Sequence, residues 1–270
     1  MTDLHQRITQ QLRTLSLKGL IDLYRPLAEE AAKNQLQYEE YLALLLDEET
    51  RGKTDRSVRT KITLARFPFL RTLEEFDFSF QPSLEEKTLV RLGTLDFLEK
   101  AENLVFLGPP GVGKTHLAVA IGIKACQAKK RVLFLTLPAL LRDLSLSVRN
   151  GTLPASLLAY SRYHVLIIDE VGYTPITREE ANLLFQLVSI RYEKGSILLT
   201  SNYGFEDWGK IFPDSVVAAA IIDRLVHHAR IFPIQGSSYR VRDKIHRRKS
   251  AKPSPSSLIS QGEGEIKASL

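Results

Sequence analysis

Apolar residues in the first seventy positions follow a helical spacing. Leu4, Ile8, Leu12 and Leu15 recur at steps of four and three, which places them on one face of a helix. Pro26 interrupts that pattern. A second helical segment is expected in "LQYEEYLALLLDEE", and a third from about Thr54 to Arg66, stopping before Pro68. No β-alternation occurs here, so residues 1–70 are expected to form an all-helical N-terminal domain.

After "FDFSF" the texture changes. Short apolar runs, "NLVFLG", "RVLFLTL", "HVLIIDE", "SILLTSN" and "ARIFPIQ", alternate with helical stretches. Runs so uniformly apolar read as strands covered on both faces. Their alternation with helices predicts an α/β fold with a parallel sheet over 71–249. Residues 250–270, "AKPSPSSLISQGEGEIKASL", are rich in Ser, Pro and Gly and are expected to be a disordered tail.

Composition narrows the classes. The longest purely apolar run, "VVAAAII", is far short of the roughly 20 residues of a membrane span. The opening "MTDLHQRITQ" is polar and helical in spacing, so no secretion signal is expected. The one cysteine, Cys126, can form neither an internal disulfide nor a zinc cluster. A reducing cytoplasm is the natural setting, with Cys126 a small buried apolar residue.

The candidate chemistry begins with "GPPGVGKT". Gly108, Pro109, Pro110, Gly111, Val112, Gly113, Lys114 and Thr115 lie between an apolar run and a helical one, the context a phosphate-binding loop requires. Glycines let the backbone turn its N–H groups toward phosphate oxygens, and the helix N-terminus adds partial positive charge. Lys114 is expected to reach the β- and γ-phosphates of ATP, and Thr115 to ligate Mg²⁺. His116 is expected to be structural.

"HVLIIDE" brings Asp169 to the carboxyl end of a buried strand, where open α/β sheets bind ligands. Asp169 is placed to hold Mg²⁺ through water, and Glu170 to accept a proton from an attacking water. Asn202 ends another such strand and could orient that water. Arg224, in "AAAIIDRLVHHARIF", leaves two readings open. It could supply positive charge to a γ-phosphate in a neighbouring subunit, or be a surface arginine paired with Asp223 or capping a helix end. No guanine-reading element is visible, so adenine is the default base.

"GPPGVGKTHLA", "VLIIDEVGY", "LLTSNYGFEDW" and "IIDRLVHHA" together resemble the AAA+ ATPases of the DnaC/IstB group, and most closely IstB-like helper proteins of bacterial insertion sequences. "YEEYLALLLDEETRGK" and "KITLARFPFLRTLEEFDF" are similar to the family's stretch leading into the ATPase core. The resemblance implies an ATPase that binds DNA, forms multimers through head-to-tail contacts and assists the transposase of the same element. A DnaC-type helicase loader is the alternative; a metabolic phosphotransferase, which would need a substrate pocket and a lid, fits the charge pattern least. Carried over residue by residue, the resemblance implies Gly108 to Thr115 as the nucleotide loop, Asp169 and Glu170 as the magnesium and hydrolysis pair, Asn202 as a sensor and Arg224 as an arginine finger. Many AAA+ proteins carry a helical lid with a second sensing arginine. Here "ARIFPIQGSSYRVRDKIHRRK" leaves room for a short lid or none, with Arg240 as a candidate replacement for that arginine.

Charge adds a DNA surface. Net charge is +6, and it is clustered. Residues 51–71 hold seven basic groups against Asp55, and residues 240–252 hold seven against Asp243. At 100° per residue, Arg56, Arg59 and Arg66 share one side of the third expected helix, with Val58, Ile62 and Ala65 on another. A basic stripe on a packed helix suits contacts along the backbone of double-stranded DNA rather than base reading.

Overall fold

The computed structural model describes residues 2–239 of the chain. The helical N-terminal region comprises α1 (Thr2–Thr14), α2 (Leu20–Lys33) and α3 (Tyr38–Leu64). The break after α1 falls at residues 15–19. Pro26 lies inside α2, where its missing N–H removes one ladder bond without ending the helix.

The second and third expected segments are one helix of 27 residues. The Glu49–Lys53 ion pair, at one-turn spacing, spans Gly52 and helps carry the helix through it. A capping box of Gln37 and Glu40 starts the helix. The buried carboxylate of Glu49 accepts from Leu20 N at 3.2 Å and from Arg56 at 3.0 Å, so it caps α2 and ties it to α3.

The rest forms around a parallel sheet. After the short helices α4 (Glu86–Leu92) and α5 (Asp96–Glu99) the chain runs through β1 (Asn103–Leu107), α6 (Lys114–Gln127), β2 (Val132–Thr136), α7 (Leu137–Arg149) and α8 (Leu153–Ser161). It continues through β3 (Val165–Val171), α9 (Arg178–Arg191), β4 (Ser196–Ser201), α10 (Ser215–Val226) and β5 (Ala229–Pro233). Each of the five apolar runs is therefore a strand. The strand order is β2-β3-β4-β1-β5, with every pairing parallel. No helix among the described residues is long and apolar enough to cross a membrane.

Alternate residues of each strand feed one of two cores, as a sheet covered on both faces requires. Leu104, Phe106 and Ile167 face a cluster with α6, while Val105, Leu166 and Ile168 face one with α7, α9 and α10. Cys126 is buried in the first cluster, and burial pushes its thiol up to about 11. The N-terminal region is joined to this core. Ala65 is fully buried in it, and its carbonyl accepts from Phe134 N at 2.8 Å, extending the edge at β2. Phe67 packs against the same cluster.

The expected basic stripe is changed by this join. The helix ends at Leu64, and Arg66 follows in a left-handed turn (φ 60°), so it does not continue the helical face. Arg59 is exposed on the helix. Arg56 is half exposed and engaged by Glu49. Arg240, the 240–252 cluster and the expected tail lie outside the described residues.

Candidate nucleotide-binding site

Order in the sheet decides what meets at its carboxyl edge. β4 lies between β3 and β1, so the segments that follow these three strands converge. The loop after β1 turns sharply through Gly108, Gly111 and Gly113, with φ of 151°, 86° and 100°. Side chains rarely adopt those angles. A Cβ on Gly113 would stand 2.6 Å from the Phe76 ring, and one on Gly108 would stand 2.2 Å from the Ile234 carbonyl oxygen. The turn therefore presents bare backbone at the start of α6.

Lys114, the first residue of α6, reaches back across this turn. Its ammonium donates to the carbonyls of Gly108 (2.6 Å) and Pro109 (2.9 Å) and to Asn202 Oδ1 (2.8 Å). Asn202, just past β4, is thus brought to the lysine. The glycine turn, the helix N-terminus and a lysine held across the loop together fit a polyphosphate.

A second knot lies beside the first. Asp169 on β3 is buried and accepts from Thr115 Oγ1 at 3.0 Å. It also accepts from Thr200 Oγ1, and that same oxygen accepts from Glu170 N at 3.1 Å. A hydroxyl and a carboxylate in contact form a hard oxygen pair able to hold Mg²⁺ with its waters. Thr200 was not singled out in the sequence. Its signal was its place two residues before Asn202, which in a strand puts both on one face.

Glu170 is exposed at the cavity, and its backbone is left-handed (φ 63°). The register between β3 and β4 slips between Ile168 and Val171. This irregularity lets Asp169 point inward while its neighbour turns out, the re-aiming that bulges achieve near sites. His116 has a structural partner in the Thr72 carbonyl (2.8 Å) and packs edge-on to Phe76. Burial holds its imidazole below the ordinary value.

The residues line one cavity of about 410 Å³, which also takes in Phe76, Phe80, Gln81 and Tyr239. The segment after β5 closes it from one side: Ile234 N donates to Leu107 O, and Tyr239 N donates to Gly111 O. Arg224 does not line it. It sits on α10, donates to the Ala220 carbonyl at 3.2 Å and covers the Phe185 ring at 4.6 Å.

The family model described as IstB-like ATP binding protein matches residues 10–247. The chain belongs to this family. A putative ATP-binding protein of insertion sequence IS21 from Pseudomonas aeruginosa is 47% identical over 86% of this chain and 88% of its own length. One of insertion sequence IS5376 from Geobacillus stearothermophilus is 41% identical over 88% and 95% respectively. The crystal structure of DnaI matches with a TM-score of 0.53 at 22% identity, covering 66% of this chain and 98% of that one. That likeness shows the fold: a parallel sheet flanked by helices. The glycine turn and Lys114 are the features of the site that fit the family's ATP.

Replacing Lys114 removes the one ammonium that spans the loop and Asn202. Lys114→Ala is expected to lower ATP affinity by at least 100-fold, in line with loss of a charge-assisted phosphate contact worth about 3 kcal/mol. Titration with a fluorescent ATP analogue reads it, with circular dichroism as the check on folding. Wild-type affinity in the variant would remove the loop from the nucleotide site.

Proposed function

We propose that this protein is an ATP-dependent, DNA-binding ATPase switch of an insertion sequence, working in the cytoplasm with the transposase of the same element. The observation that carries the reading is the site's composition in a chain whose relatives are insertion-sequence ATP-binding proteins. A phosphate turn, a carboxylate bonded to the loop threonine and an exposed neighbouring carboxylate are what ATP hydrolysis needs. In this reading residues 1–70 contact DNA or partners, 71–249 form the ATPase core and 250–270 a tail.

In this reading the backbone N–H groups from Gly111 to Thr115 and the Lys114 ammonium bind the phosphates. Thr115 and Asp169 would hold Mg²⁺, which would supply charge neutralisation on the phosphate oxygens. Asn202, already bonded to Lys114, senses the γ-phosphate end. Glu170 takes the proton from the attacking water. Glu170→Gln keeps the shape but cannot accept that proton, so it is expected to bind ATP normally while phosphate release falls at least 100-fold. Normal turnover would exclude Glu170 as the base.

Arg224 acts in the neighbouring subunit's site, which requires head-to-tail contacts and hence rings or filaments. Its distance from its own cavity supports this reading. Lys114→Ala and Arg224→Ala proteins are each expected to be nearly inactive, and mixing them on DNA is expected to restore part of the activity. Restored interfaces pair an intact loop with an intact arginine. Steady-state phosphate release across mixing ratios measures it, with light scattering to verify co-assembly. Co-assembly without recovery would confine Arg224 to its own subunit.

DNA is held through its phosphates by the basic groups of 51–71. Arg59 and Arg66 are exposed, whereas Arg56 is committed in part to Glu49. Replacing Arg59 and Arg66 is therefore expected to flatten the log–log dependence of DNA affinity on salt by about 2 units, and adding Arg56→Ala by less than about 1 more. Anisotropy titrations at several salt concentrations give the slope. A slope unchanged by all three substitutions would move the DNA surface elsewhere.

A further inference from the structure

Nucleotide chemistry gathers at the carboxyl ends of the strands. A different group of residues lies at the amino-terminal edge, where Asn103 N, at the start of β1, donates to the His228 carbonyl. There Glu193, following α9, meets His227 and His228, which follow α10. We propose that Glu193, His227 and His228 form a binding site for one divalent transition-metal ion of the zinc class.

Each of the three side chains offers a ligand atom, and these atoms all lie within 4.8 Å of one another. Zinc sits about 2.0–2.2 Å from nitrogen or oxygen ligands, so two ligands on one ion stand roughly 3–4 Å apart. All three residues are exposed, so small side-chain rotations close the difference without disturbing the core.

Two features prearrange the group. The His227 ring is held by a hydrogen bond between its Nδ1 and the Tyr192 hydroxyl at 2.6 Å, the kind of outer partner that orients a metal-binding imidazole. His228 Nε2 already meets Glu193 Oε1 at 3.0 Å. The backbone beneath is fixed as well. Arg191, fully buried at the end of α9, donates to the carbonyls of Tyr160, Tyr163 and Ser196.

The electrostatic setting favours a cation. Both α9 and α10 end at this point, and helix carboxyl ends carry partial negative charge. Two imidazoles and one carboxylate suit zinc, cobalt, nickel or copper, and not magnesium, which demands oxygen ligands. Three protein ligands leave a further position for water or for a donor from another molecule. A bound ion would clamp the end of α10 to the end of α9. Those are the two helices that Arg224 already bridges through Phe185, so the ion would set the stiffness of the element that carries this arginine.

The test uses the full-length, nucleotide-free protein. Titration with Co²⁺ is expected to give visible ligand-field bands that saturate at one equivalent, to be displaced by Zn²⁺ and to persist in excess Mg²⁺. His228→Ala and Glu193→Gln are each expected to weaken binding at least tenfold, and Tyr192→Phe about tenfold. Zn²⁺ is expected to raise the melting temperature of the wild type but not of the His227→Ala/His228→Ala double variant. Because these side chains are exposed, the metal-free variants are expected to melt as the wild type does; Glu193→Gln, which keeps the shape, decides the matter if a histidine variant does not. Absence of stoichiometric binding in the wild type, or equal affinity in the double variant and in Glu193→Gln, would reduce the cluster to a surface His228–Glu193 ion pair.

Discussion

A carboxylate buried at the end of a sheet must be given hydrogen-bond donors, because leaving its charge unpaired costs several kcal/mol. Asp169 obtains them from Thr115 on α6 and Thr200 on β4. Those two bonds fasten the phosphate loop to the central strands. Lys114 completes the set by reaching Asn202, two residues beyond Thr200. The carboxyl edges of β1, β3 and β4 are thus locked to one another by polar contacts that a nucleotide and its cation can take over. Beside this lock, the segment after β5 is held to Leu107 and Gly111 by backbone bonds and closes the cavity from one side.

The same logic operates in the N-terminal region with a different residue. Glu49 is buried, and it draws in Leu20 N, Arg56 and Lys53. Arg56, half exposed on the helix, is thereby partly spent on structure. The junction between the N-terminal helices and the sheet is also a matter of burial. Ala65 and Phe67 enter the core beside α6, and the Ala65 carbonyl continues the edge at β2. Any movement of α3 would therefore be felt at the sheet beside α6, the helix that carries Lys114 and Thr115.

Much of this was legible in the chain. Apolar runs of five or so residues bounded by polar ones can be buried on both faces only as central strands, so each marked a strand correctly. The nucleotide loop was legible because glycine at positive φ, a following lysine and a helix start form a local device, complete within eight residues. Asp169 and Asn202 were legible because polar residues ending such strands face the ligand edge. Helix limits were not. Two segments were expected where α3 is one helix, because helix propensity and an ion pair spanning Gly52 carry it through, and Pro26 costs α2 only one bond.

Sequence alone determined the periodicities, the loop and the order of strands and helices along the chain, because those rest on local backbone preferences and on burial. Tertiary structure decided which separated residues share a partner. Thr200 became part of the site because β4 lies next to β3, and Glu170 faced outward because the register between those strands slips. Leu20 N met Glu49, and His227 and His228 met Glu193, because elements separated in the chain lie side by side. Such pairings depend on distances in space between groups far apart in the chain, and no spacing along the chain records them.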